Sequence, residues 1–164
     1  MMTRYQALKQ RIWVEIEEIG QTVAVIQRHW ESARSASSDQ DAYLNSVALN
    51  LHSWYSGLER IFELIAIELD GGALGGEAWH TELLRQITLD LAGIRPPVIR
   101  KEVADQLDEY RKFRHRIRNI YVTNLDPARM QPLIVELPAL WAQIRQELMA
   151  FSEFLNALAQ ADDE

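Results

Sequence analysis

The sequence predicts an all-α protein, a five-helix up-and-down bundle. Three observations carry that prediction. Apolar residues recur every three or four positions over long stretches, the spacing of one helix face. Seven glycines and five prolines are the only strong helix breakers in 164 residues, and long runs contain neither. Apolar residues make up 48% of the chain, enough for a real core and too many for a disordered chain. A length of this order is that of a single domain, spanning residues 1–164.

The first helix carries Tyr5, Leu8, Ile12, Ile16, Ile19, Val23, Ile26 and Trp30 on one stripe. It should stop in the serine-rich stretch 32–38, with Ser38 or Asp39 capping the second helix. That helix runs from about Gln40 to Leu69 on Tyr43, Val47, Leu51, Trp54, Leu58, Ile61, Ile65 and Leu69, and ends at Asp70-Gly71-Gly72. A third spans about Ala78 to Ala92, with Trp79, Leu83, Leu84, Ile87 and Leu91 inward, closed by Gly93 and Pro96-Pro97. The fourth runs from about Pro97 to Val122. Asp126-Pro127 reads as a cap and first position of the fifth, which carries Leu133, Leu137, Trp141, Ile144, Leu148, Phe151, Leu155 and Leu158. Pro138 should kink or break this last helix, and the acidic end 160–164 should fray.

The chain has no cysteine, which removes disulfides and thiolate metal sites and suits a reducing, cytoplasmic setting. The charged N-terminus is neither a signal peptide nor an anchor, and no segment is apolar enough to span a membrane. A net charge of −7 argues against indiscriminate nucleic-acid binding. Apolar residues off the stripes, such as Trp13, Val14 and Val25, leave surface that self-association would cover.

The basic charge is concentrated on the fourth helix. Its first half is acidic (Glu102, Asp105, Asp108, Glu109); its second half, Arg111 to Arg118, holds five of the chain's 17 lysines and arginines in eight residues. With Arg114 at zero and roughly 100° per residue, Arg118 falls near 40°, Tyr121 near −20°, His115 near 100° and Asn119 near 140°. Val103, Leu107, Tyr110, Ile117 and Ile120 fill the other side, with Arg114 and Tyr121 on the border. Two readings are open. Acidic residues early and basic residues late complement the helix dipole, and Asp108 can pair with Lys112, giving a solvated, self-paired face. Alternatively, the guanidinium groups grip a phosphate and the imidazole moves a proton.

The remaining motifs read as ordinary structure. His29, His52 and His80 lie on three helices without metal-ligand spacing, and Glu59 and Glu63, one turn apart, lack the histidine partner of a di-metal bundle site. Neither a metal nor a cofactor is expected. The glycines at 71–76 lack the Lys-Ser/Thr of a phosphate loop.

Arg114-His115-Arg116-Ile117-Arg118-Asn119-Ile120-Tyr121 resembles the signature of HEPN domains, specifically the HepT-like toxins: arginine, a polar residue, three variable positions, histidine, one variable position, tyrosine. The segments 51–63 and 76–84 and the Asp126-Pro127 helix start resemble the same group. The resemblance implies a bundle that forms a homodimer or higher even oligomer, with the motif helix at a cleft between protomers. It implies metal-independent RNA cleavage, held in check by a cognate minimal nucleotidyltransferase antitoxin. By position, Arg114 would hold the scissile phosphate with Arg111 and Arg118 as further RNA contacts, and Tyr121 would receive AMP.

One position departs from the pattern: the motif histidine is Asn119. An amide is no general base near neutral pH. Three arrangements remain open: His115 serves instead; Asn119 only positions the phosphate in a weak nuclease; or catalysis is lost and the chain is an interaction module that binds its nucleotidyltransferase. In an active enzyme, a base would take the ribose 2′-hydroxyl proton, and Arg114 and Arg118 would stabilise the charge building on the phosphoryl oxygens.

Overall fold

Thr3 opens the first helix with a reciprocal cap. Its hydroxyl accepts from the Gln6 N–H at 3.1 Å, and Gln6 Oε1 accepts from the Thr3 N–H at 2.8 Å. In the computed structural model, which describes residues 2–118 and 124–164, α1 then runs Arg4–Ser35. The stripe from Leu8 to Trp30 is buried as the spacing predicts. The second helix, α2, spans Gln40–Leu69. Asp39 precedes it in the left-handed conformation (φ 62°), and its side chain makes no capping bond, contrary to the expected cap. The expected stop at Gly71 and Gly72 is present: Ala66 O accepts from both the Asp70 and the Gly72 N–H.

α1 and α2 form an antiparallel hairpin whose cross-contacts step down its length. Arg4 and Arg11 pair with Glu68, Glu15 with Arg60, His29 Nδ1 with the Ser46 hydroxyl, and Gln40 Nε2 donates to Ala33 O. Gly57 sits at the closest approach, where a Cβ would lie 2.5 Å from Ile19 Cγ1. Tyr43 is exposed, while its neighbour Leu44 takes the buried position.

The third helix is shorter than expected. α3 covers only Trp79–Gln86. Beyond it the chain makes a tight turn in which Leu91 and Arg95 exchange backbone hydrogen bonds, with Gly93 at φ 76°. A buried ion pair fixes that turn: Arg95 Nε and Nη2 donate to Asp70 at 2.7 Å each, and its guanidinium also reaches the carbonyls of Gln86, Leu89 and Pro96. The Val98 N–H is taken by Ile87 O, and Val98 and Ile99 enter the core. The next helix therefore cannot start at Pro97. α4 begins four residues later and spans Lys101–Ile117, and the expected extension through Ile120 to Val122 falls outside the described residues.

α5 runs Pro127–Asp162, capped by Asp126, whose side chain accepts from the Ala128 N–H. It does not break at Pro138. Pro138 lacks the N–H that would bond the carbonyl four residues back, at Ile134. Gln27 Nε2 of α1 donates to that orphaned oxygen at 3.0 Å, and the Tyr110 hydroxyl of α4 donates to the adjacent Leu133 O at 2.7 Å. Two side chains thus restore bonding around the proline.

The described residues form an all-α bundle of five helices. Its core lies between α1, α2 and α5, with α4 closing one side and α3 packed over α2 and α4. No helix among the described residues is long and apolar enough to cross a membrane.

Candidate functional site

The polar interior of the bundle lies where α4 meets α2. His52, Tyr55, Ser56 and Glu59 follow each other at positions i, i+3, i+4 and i+7 of α2, which puts them on one face. That face receives Arg114. Its Nη1 donates to Glu59 Oε1 at 3.1 Å and its Nη2 to Glu59 Oε2 at 3.0 Å, a two-pronged pair. Nη1 also donates to the Ser56 hydroxyl at 3.1 Å, and the guanidinium carbon stands 4.7 Å from the centre of the Tyr55 ring. The Arg114 side chain is 5% exposed and that of Glu59 9%.

α3 adds an imidazole. His80 Nδ1 lies 2.8 Å from Glu59 Oε2 and 3.1 Å from Arg114 Nη2. The ring stacks on Trp79 with centroids 3.7 Å apart, and its side chain is 29% exposed. A carboxylate, a guanidinium, an imidazole and a hydroxyl therefore converge from three helices, with the imidazole on the solvent side.

The electrostatics follow from burial and neighbours. Burial pushes the Tyr55 hydroxyl well above its ordinary range, and Glu59 adds to this while Arg114 and Arg111 oppose it. His52 is held below its usual 6.5 by burial first, then by Arg114 and Arg118, against a smaller pull from Glu59. Burial would raise the Asp108 carboxyl, but its bonds to Arg111 and Lys112 outweigh that and hold it low.

The residues singled out in the sequence divide sharply. Arg114 faces inward, held by a carboxylate rather than presented to solvent. Arg111 pairs with Asp108 at 2.6 Å, and Lys112 lies near Asp108 at 3.4 Å and Glu109 at 3.3 Å. His115 is exposed, turned to the outside of α4. Arg116 and Arg118 are exposed and form no ion pair among the described residues. Arg116 borders a crevice of about 240 Å³ with Phe113, Asn124, Asp126 and Arg129, between the end of α4 and the start of α5. Asn119 and Tyr121 lie outside the described residues. Among those residues, no group of three or more His, Asp or Glu is placed to hold a metal ion.

By sequence alone Glu59 and His80 read as ordinary residues, yet Glu59 pairs with Arg114 and His80 stands 3.1 Å from it. The available signal is the 52/55/56/59 spacing, a hydrogen-bonding stripe on a helix otherwise rich in core residues. His80 sits 21 residues from Glu59 on a short helix and offers no comparable pattern.

A family model described as HepT-like protein matches residues 46–155, two thirds of the chain, from the first third of α2 into α5. All the residues of the polar cluster lie inside the match. No curated protein and no solved structure matches the chain.

Proposed function

The chain belongs to the HepT-like family, and on that premise we propose that it is the ribonuclease toxin of a toxin–antitoxin pair, cutting RNA without a metal. The observation that carries this reading is the Glu59–Arg114–His80 cluster. A buried ion pair is costly to desolvate and contributes little net stability, so it is a weak device for holding a fold together. Arg95–Asp70 has a structural explanation, because it pins a turn through three backbone carbonyls. Among the described residues Arg114 reaches no backbone carbonyl; its hydrogen bonds go to the Glu59 and Ser56 side chains, and a partly exposed imidazole lies 3.1 Å from it. Titratable groups gathered in this way are a signature of functional sites.

On this reading, Arg114 acts from inside the protein wall, its charge partly neutralised by Glu59, and the exposed Arg116 and Arg118 meet the RNA backbone. A homodimer would bring two such surfaces together. Cytoplasmic RNA is the substrate, and a minimal nucleotidyltransferase silences the site by adding AMP to Tyr121. Purified protein incubated with tRNA and mRNA tests it: strand scission lost on Arg114→Ala supports the nuclease, and the same background from both proteins rejects it.

The inward pairing of Arg114 and the amide at 119 together favour a second reading, a catalytically silent module that binds the nucleotidyltransferase. Asn119→His separates the two. Cleavage gained only in that variant favours the silent module, whereas Arg114-dependent cleavage by the parent chain excludes it.

A further inference from the structure

We propose that His80, oriented by Glu59, is the general base of the RNA-cleaving site, supplying from α3 the proton acceptor that position 119 of this chain lacks. The inference rests on the nuclease reading and goes beyond it, since the HepT-like signature lies wholly on the motif segment 114–121, apart from α3.

The hydrogen-bond geometry assigns the tautomer. His80 Nδ1 faces the Glu59 carboxylate oxygen at 2.8 Å and an arginine N–H at 3.1 Å. Arginine only donates and a carboxylate only accepts, so Nδ1 either donates to Glu59 or accepts from Arg114. Either bond would be charge-assisted, but the carboxylate contact is the shorter of the two. Arg114 Nη2 is already served by the same oxygen at 3.0 Å. The proton therefore belongs on Nδ1, and Nε2 carries the lone pair. Nε2 has no hydrogen-bond partner among the described residues, and the His80 side chain is more exposed than those of Arg114 and Glu59. The Trp79 stack and the Glu59 bond fix its plane from two directions. A carboxylate that sets the tautomer and orientation of an imidazole, leaving the other nitrogen to solvent, is the arrangement of a catalytic base.

The reaction balances. Nε2 takes the proton of a ribose 2′-hydroxyl, and the 2′-oxygen forms a bond to the adjacent phosphorus while the bond from phosphorus to the 5′-oxygen breaks. The departing oxygen takes a proton from water, and the imidazolium returns its own to the hydroxide left behind. The products are a 2′,3′-cyclic phosphate and a 5′-hydroxyl. His115 is the competing candidate from sequence, but it is exposed, whereas Glu59 is buried.

The test is cleavage of a single-stranded RNA oligonucleotide, read by cyclic-phosphate ends, for the full chain and its His80→Ala, His80→Gln and His29→Ala variants. Glutamine keeps a donor for Glu59 and much of the volume but has no basic nitrogen, so His80→Gln separates folding from chemistry. The expected result is roughly a hundredfold to ten-thousandfold loss in both His80 variants. Free imidazole should rescue His80→Ala in proportion to its concentration, and His29→Ala should match the parent. If the parent cleaves and His80→Gln cleaves within a few-fold of it, the inference fails while the nuclease reading stands. Loss without imidazole rescue, in a variant of parental circular dichroism, also overturns it by marking a structural role. A parent chain that cuts nothing overturns both.

Discussion

Arg114 of α4 and Glu59 of α2 face each other across the interior of the bundle, joined by two hydrogen bonds of 3.1 and 3.0 Å. The motif arginine is therefore part of the protein wall, and the role proposed for it would be shared with a carboxylate from another helix.

Removing one partner leaves the other charged and buried. Glu59→Leu or Arg114→Met should each destabilise the fold by about 3–5 kcal/mol, while the two together should cost far less and be near neutral. Urea unfolding of the three variants checks this. Equal and additive losses would mean that the pair is not coupled as the geometry requires.

Gly57 has no room for a side chain. In Gly57→Ala the new Cβ would lie 2.5 Å from Ile19 Cγ1 and 2.9 Å from Cδ1. Overpacking of this kind costs about 1–3 kcal/mol, against a gain of about 1 kcal/mol in helix propensity. A lower urea midpoint is expected, recovered in part when Ile19 is also cut to Ala.

The bond from Gln27 to Ile134 O matters because Pro138 leaves that carbonyl without its helical donor. Gln27→Ala should cost about 1–3 kcal/mol. In a Pro138→Ala background the restored N–H takes over, and the same substitution should cost much less. A double-mutant cycle by chemical denaturation measures the difference.

His52 gives stability a pH dependence of known sign. Burial and the nearby Arg114 and Arg118 lower its folded-state pKa below 6.5. Below about pH 6.5 the unfolded chain therefore binds the extra proton first, and stability falls with falling pH. Above that value the contribution is fully present. Urea midpoints at about pH 5.5 and 7.5, on either side of the ordinary histidine range, should differ by less in His52→Gln than in the parent.

Much of the fold was legible because its cause is periodic. The α1 stripe from Leu8 to Trp30 and the α5 stripe from Leu133 to Leu155 repeat at helical spacing, and nearly all of those positions are buried. The boundaries that differ have tertiary causes. Arg95 reaching Asp70 shortens α3, the Val98–Ile87 bond delays α4, and Gln27 and Tyr110 carry α5 through Pro138. The site was half legible. Arg114 stood out as one of a run of cations, but the wheel put it on the border of the apolar face, and only packing against α2 decides that it turns inward. Glu59 lies on the 52/55/56/59 stripe of α2, but its pairing is set only when three helices meet, and no local spacing reports His80.

The most direct test replaces the charged pair with Glu59→Leu/Arg114→Met, which should keep the fold while removing the polar site, and compares RNA cleavage with that of the parent chain. Parental cleavage to 2′,3′-cyclic phosphate ends, abolished in a double variant of parental stability, is the predicted result. A double variant that cuts as fast as the parent, or a parent that does not cut, would contradict the claim that this cluster is where the protein acts on RNA.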